Sequence, residues 1–92
     1  MQNVDMKALQ VFFCLLNECN VTRTAQQLNM TQSAVSHTLA RLRLLFNDPL
    51  FVSMGRGMLP TSRALALVEP LQQSLASADG IDYMTSVSRQ NV

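Results

Sequence analysis

The chain has 92 residues, a formal net charge of +1, 48% hydrophobic residues and 14% charged residues, which indicates one small domain with a modest core. It contains no apolar run long enough for a membrane span and no signal-peptide pattern, so we expect a cytoplasmic protein. Its two cysteines have no His or Cys neighbours at metal-ligand spacing, so we expect reduced thiols, no metal and no cofactor. A single histidine without paired carboxylates, and the lack of a glycine-rich phosphate loop, argue against an enzyme.

A first helix is predicted from Asp5, a candidate N-cap, to about Asn20. Two sets of apolar residues lie on opposite sides of this helix. The set expected to cover the next two helices comprises Met6, Leu9, Phe13 and Leu16. The second set comprises Val11, Phe12 and Leu15. A helix that is apolar on two sides is buried between two partners, so Phe12 is a candidate contact with a second copy of the chain, and simple core packing is the alternative.

Residues 21–46 predict two helices joined by a tight turn. Thr22 is a candidate N-cap of the shorter helix, Asn29 tolerates the left-handed backbone of a turn, and Thr31 is a second N-cap. The inward stripe of the longer helix comprises Val35, Leu39, Leu42 and Phe46. This arrangement is typical of a helix-turn-helix unit.

Short polar side chains occupy the outward or flanking positions of the longer helix, near its N-terminus. They are Gln32, Ser33, Ser36, His37 and Arg41. A helix of this kind can present its first turns to base edges in the DNA major groove, although a solvated polar face is the alternative. The charge distribution favours DNA, because residues 1–63 have a net charge of +3 and residues 64–92 a net charge of −2.

After Phe46 the pattern changes from helix to hairpin. Residues 50–53 and 58–60 predict two short strands around a turn at residues 54–57. The turn carries Arg56 between two glycines, so this arginine is a candidate contact with a phosphate or the minor groove, unless the hairpin is only a turn.

Thr61 or Ser62 is predicted to cap a last helix that extends to about Ala78 and contains Pro70. A heptad-like apolar seam along this helix comprises Ala64, Val68, Leu71, Leu75 and Ala78. We expect the seam to pair with a second copy, and packing onto the chain's own core is the alternative. The predicted organisation is a DNA-binding domain at residues 1–61, a dimerising linker helix at 62–79 and a flexible tail at 80–92.

Several motifs follow one another at fixed separations. They are Leu9 and Phe13, residues 22–28 (TRTAQQL), residues 31–36 (TQSAVS), Leu42, residues 50–51 (LF), residues 55–57 (GRG) and residues 60–61 (PT). Together they resemble the N-terminal DNA-binding domain of the LysR-type transcriptional regulators. Residues 46–52 (FNDPLFV) are most similar to the branch that includes the leucine-operon and nodulation regulators.

The resemblance implies a mainly α, winged helix-turn-helix fold, with three helices and a two-stranded wing, followed by a linker helix that forms an antiparallel homodimer. The implied partner is double-stranded DNA with a partly palindromic operator. Base-reading positions would be Gln32, Ser33, Ser36 and His37. Contacts with the DNA backbone or minor groove would come from Thr22, Arg23, Thr31, Arg41 and Arg56.

The chain departs from the family pattern at three places. Ser33 stands where proline is usual, Ser53 stands where a basic residue is common, and Arg43, Leu44 and Leu45 replace frequently acidic positions, adding charge and a possible contact surface. Family members continue into a longer effector-binding domain, so we expect the chain to be a fragment rather than a natural short form. A second hypothesis is a dimerising interaction module that antagonises a full-length relative without binding DNA.

Overall fold

The computed structural model describes residues 4–79, and the side chains of residues 4–74. The elements are α1 (Met6–Glu18), α2 (Val21–Leu28), α3 (Gln32–Phe46), β1 (Phe51–Met54), β2 (Gly57–Pro60) and α4 (Ser62–Asp79). The strands pair antiparallel, with Phe51 opposite Pro60 and Met54 opposite Gly57. Three helices, a two-stranded wing and a further helix therefore follow one another as predicted. The predicted tail at 80–92 and the side chains of Leu75 and Ala78 lie outside the described residues.

Side-chain caps begin α1 and α3 at the predicted residues. The Asp5 carboxylate accepts a hydrogen bond from the Ala8 N–H at 2.9 Å, and the Thr31 hydroxyl accepts one from the Ala34 N–H at 3.0 Å. Each cap satisfies a backbone donor that has no partner within its helix. Both residues are in extended backbone, which directs the incoming chain away from the helix axis.

The predicted start of α2 was wrong by two residues. Asn20, not Thr22, is the N-cap, and its side-chain oxygen accepts a hydrogen bond from the Arg23 N–H at 2.8 Å. Asn and Thr are both good caps, and the earlier one prevails because α1 ends at Glu18 and only its C-cap, Cys19, precedes Asn20. Thr22 therefore lies in the first turn of α2 with its side chain exposed.

Each of the first three helices ends at a non-glycine residue in the left-handed conformation. Asn29 has φ +57° and Asn47 has φ +52°, and asparagine is among the few residues that adopt this conformation readily. Cys19 ends α1 with φ +56°. The Asn29 turn joins α2 to α3 and confirms the predicted helix-turn-helix connection.

The main core joins α1 to the second half of α3, the base of the wing and the first half of α4. It consists of Ala8, Leu9, Phe12, Leu15, Leu39, Leu42, Leu50, Phe51, Ala64, Leu67 and Leu71. Aromatic edge-to-face packing contributes to it, because the rings of Phe12 and Phe51 lie 5.8 Å apart at 65°. A smaller cluster of Val11, Ala25 and Val35 lies where α1, α2 and α3 meet.

The sequence misassigned the two sides of α1. Val11, from the side expected to face away, packs against the helix-turn-helix, whereas Phe13 and Leu16 are only partly buried. Phe12 is fully buried, so a second copy of the chain has no surface of this side chain to contact. The apolar periodicity showed that both sides are covered, and the chain itself supplies the cover on the Phe12 side.

The predicted seam of α4 is also partly used inside the chain. Ala64 is fully buried and Leu71 is 6% exposed, and both belong to the main core. Their assignment to a dimer interface is corrected for this reason, since packing onto the chain's own core was the alternative. Val68 is partly buried against the same cluster, and Leu65 beside it is 56% exposed.

Within residues 4–79, no helix combines the length and apolar content needed to cross a bilayer.

Candidate nucleic-acid interface

The outward side of α3 presents the four predicted base-reading residues to solvent. Gln32, Ser33, Ser36 and His37 are all exposed in the first two turns of this 15-residue helix. The opposite side is anchored in both clusters, through Val35 in the smaller one and through Leu39 and Leu42 in the larger one. The buried stripe therefore fixes the rotation of α3, and the polar residues face away from the protein interior.

The predicted backbone-contacting residues are exposed as well, on three different elements. Thr22 and Arg23 are in the first turn of α2, Thr31 and Arg41 bracket most of α3, and Arg56 is in the wing turn. The Thr31 oxygen already accepts the capping hydrogen bond, but its hydroxyl hydrogen remains able to donate.

The wing turn is tight and carries its arginine at the tip. Met54 pairs with Gly57, so only Gly55 and Arg56 connect the two strands. Gly55 has φ +60°, a conformation that two-residue hairpin turns require at this position and that glycine adopts without strain. Arg56 consequently projects from the end of the hairpin into solvent.

The wing is seated on the C-terminal end of α1. The Met58 N–H donates to the Cys19 carbonyl oxygen at 2.9 Å. A Cβ atom at Gly57 would lie 2.6 Å from that same oxygen, closer than van der Waals contact permits. Only glycine allows this approach, so Gly57 and Cys19 together set the position of β2.

Arg43 braces the last turn of α3 against the beginning of the wing. Its Nε donates to the Pro49 carbonyl at 2.7 Å, and its Nη2 donates to the Phe51 carbonyl at 2.8 Å. The side chain is half-buried, so the contact surface that the sequence suggested here rests on its neighbour Leu44, which is 83% exposed. Sequence reasoning missed the brace, and the only available signal was the Asp48–Pro49 turn that returns the chain towards α3.

Asp48 connects the wing to the beginning of α4. One oxygen of its carboxylate, Oδ2, accepts hydrogen bonds from the Leu50 N–H at 2.9 Å and from the Thr61 hydroxyl at 2.8 Å. The Thr61 hydroxyl oxygen in turn caps α4 by accepting from the Ala64 N–H at 3.1 Å, and the Thr61 N–H donates to the Leu50 carbonyl at 2.9 Å. The sequence offered Thr61 or Ser62 as the cap of α4, and the structure selects Thr61; its link to Asp48 was not predicted.

The residue between these contacts adopts an unusual backbone. Leu50 has φ +63°, and the N–H of Phe51 donates to the Pro49 carbonyl at 2.6 Å across it. A hydrogen bond between residues two apart around a positive φ is characteristic of the rare type of γ-turn. Leu50 is fully buried, so burial of its side chain offsets the backbone strain.

Residues 6–65 match a family model described as bacterial regulatory helix-turn-helix protein, lysR family. The transcriptional regulator LeuO of Escherichia coli is 49% identical over 78% of this chain, and nodulation protein D 1 of Bradyrhizobium elkanii is 39% identical over 99% of it. The chain spans only 23% and 31% of the lengths of these two relatives. Both correspond to the branch that the sequence motifs indicated, and the family is one of regulators rather than enzymes.

A solved structure shows the same fold. The crystal structure of a CbnR DNA-binding domain in complex with DNA superimposes with a TM-score of 0.76 at 20% identity, covering 95% of this chain and 97% of that one. This similarity confirms the predicted winged helix-turn-helix fold.

Proposed function

Because the chain belongs to the LysR family of bacterial regulatory helix-turn-helix proteins, we propose that it binds double-stranded DNA in a sequence-specific manner, as the DNA-binding part of a transcriptional regulator in the bacterial cytoplasm. The observation that carries the proposal is the exposed polar face on the first turns of α3, opposite the buried side chains of Val35, Leu39 and Leu42. The CbnR neighbour, solved with DNA, supports the same reading. A dimerising antagonist that does not bind DNA would have no use for this face.

The proposed reading surface has dimensions that suit a major groove. Ser33 and His37 are four residues apart, which corresponds to about 6 Å along the helix axis, close to two base-pair steps. Gln32 and Ser36 flank them on the same end of α3. Hydroxyl, amide and imidazole groups can each donate to or accept from base edges, so these four residues are assigned to sequence recognition.

The remaining exposed polar residues are assigned to the DNA backbone or minor groove. They are Thr22, Arg23, Thr31, Arg41 and Arg56. Arginine suits this role because its planar guanidinium donates several hydrogen bonds to phosphate oxygens. Such contacts position the protein on the duplex and carry little sequence information.

The first test is titration of the chain into labelled duplexes at two salt concentrations. Each phosphate neutralised by the protein contributes about −0.9 to the slope of log affinity against log salt, so we expect a steep decline in affinity. A flat response, or no binding at low salt, would favour the interaction module instead.

The second test separates the wing from the recognition helix. Arg56→Ala should weaken binding to all duplexes alike and reduce the slope by about 0.9, whereas His37→Ala should change the preferred sites, with a loss of roughly 1–3 kcal/mol per good base contact. Arg63→Ala, which removes an exposed arginine of α4 outside the proposed interface, is the matched control. Unchanged site preference in the His37 variant would contradict the assignment of α3.

We further propose that α4 forms a homodimer, so that the operator is partly palindromic. Ala64 and Leu71 are buried within the chain and are left out of this interface. The described part of α4 still has Leu65, which is 56% exposed, and the partly buried Val68 three residues later on the same side, for contact with a second copy. Leu65→Asp should therefore shift the chain from dimer to monomer in sedimentation without loss of folding. Leu59→Asp, an equally polar change at an exposed wing residue, is the control, and a dimer that survives Leu65→Asp would contradict this interface.

A further inference from the structure

An acidic residue stands at the edge of the proposed DNA-binding surface and holds one of its arginines. Asp5 Oδ2 lies 3.5 Å from Arg41 Nη2, and this is the only ion pair found among the described residues. The other carboxylate oxygen, Oδ1, caps α1 through the Ala8 N–H at 2.9 Å. Asp5 thus joins the beginning of α1 to the outer side of α3.

Asp5 and Arg41 differ in the conformational freedom of their side chains. The cap fixes Asp5 to the first turn of α1, and the helix dipole also favours a negative charge there. Arg41 has a long side chain that is 51% exposed, and it lies one helical turn beyond His37. When DNA approaches, the arginine is the partner that can exchange, and the carboxylate cannot follow it.

We propose that Asp5 is a specificity-determining residue, which lowers the sequence-independent part of DNA affinity by competing with phosphate for Arg41. This inference rests on the proposed DNA binding. A phosphate must either displace the carboxylate from the guanidinium or lie beside it, and both alternatives weaken the contact for every sequence equally. Contacts between base edges and the first turns of α3 do not involve this pair. Base recognition therefore contributes a larger share of the total affinity.

The test removes the charge and keeps the cap. Asn is as good an N-cap as Asp, so Asp5→Asn in the full chain should preserve the hydrogen bond to Ala8, and the thermal stability should fall only slightly, through loss of the charge at the helix N-terminus. Glu69→Gln, at an exposed acid of α4, makes the same change in net charge and is the matched control. Binding is measured on a random-sequence duplex between about 50 and 200 mM salt.

We expect Asp5→Asn to tighten binding by about two- to fivefold at the lower salt, in keeping with the strength of an exposed ion pair. The salt slope should steepen by up to about 0.9 as Arg41 gains a phosphate. Glu69→Gln should produce a smaller change. Binding by Asp5→Asn that is weaker than or equal to that of Glu69→Gln would overturn the inference, because Asp5 would then position Arg41 or leave it unaffected.

A second pair of variants shows whether the effect passes through Arg41. In an Arg41→Ala background, Asp5→Asn should change affinity no more than Glu69→Gln does. An undiminished effect of Asp5→Asn in that background would overturn the competition and leave only a general charge effect. If the parent chain shows no salt-dependent binding, the proposed function is overturned together with this inference. If the parent chain binds DNA and Asp5→Asn does not tighten that binding, this inference alone is overturned.

Discussion

Replacement of Gly57 by alanine tests whether the wing is seated on α1 as closely as the structure shows. The added Cβ would lie 2.6 Å from the Cys19 carbonyl oxygen, which is a backbone atom and cannot rotate away. Either β2 or the end of α1 must move, and the hydrogen bond from Met58 to Cys19, 2.9 Å long, is lost or stretched.

The expected cost has two parts. Overpacking of a tight site costs about 1–3 kcal/mol, and a lost backbone hydrogen bond costs about 0.5–1.5 kcal/mol. The sum, about 1.5–4.5 kcal/mol in the free energy of unfolding, is a large fraction of the stability of a small domain. The proposed contacts of Arg56 with DNA should weaken too, because the wing tip moves with β2.

Gly55 provides the control, because a Cβ there meets nothing within 4 Å and only the φ of +60° opposes it. Gly55→Ala should cost about 1–2 kcal/mol from the left-handed backbone, and Gly55→Asn less, since asparagine tolerates that region. Urea unfolding followed by far-UV circular dichroism suits a chain without tryptophan. If Gly57→Ala proves no more costly than Gly55→Ala, the close approach to Cys19 is refuted.

Two further changes test buried polar groups. Thr24→Val should raise the free energy of unfolding by about 1–2 kcal/mol, because the Thr24 hydroxyl is fully buried and has no hydrogen-bond partner within the described residues. Thr22→Val, at an exposed position, is the control. A loss of stability in Thr24→Val would show that the hydroxyl has a partner. Arg43→Met keeps a long side chain but removes both hydrogen bonds to the wing, so the free energy of unfolding measured in urea should fall by about 1–3 kcal/mol. Arg63→Met, the control, should change it little. Equal stability of the two variants would contradict the role of Arg43 in holding the wing.

Local chemistry explains what the sequence predicted well. Asp5 and Thr31 cap helices, and Asn29 ends one, because each residue satisfies or permits the backbone of its own turn. The outward polar face of α3 followed from helical periodicity once Val35 was placed inside. These features depend on residues only a few positions apart, so no knowledge of the tertiary structure was needed.

The errors arose where distant segments decide the outcome. Periodicity identified Phe12 and Ala64 as apolar positions but could not say which surface covers them, and the chain's own core does. The roles of Arg43 and Asp48 depend on the path of the chain through Leu50, whose positive φ is uncommon for a leucine. The sequence around Leu50 contains no local signal for that conformation.

The two hydrogen bonds accepted by a single oxygen of Asp48 have a mechanical consequence. The base of the wing and the cap residue Thr61 share this one atom, and Thr61 is further tied to the Leu50 carbonyl. A rotation of α4 about its axis must therefore break these hydrogen bonds or move the hairpin together with α4. The hairpin would transmit the motion to α3 through the Arg43 hydrogen bonds. The direction of the last helix is therefore coupled to the spacing between α3 and the wing, the two elements proposed to contact DNA.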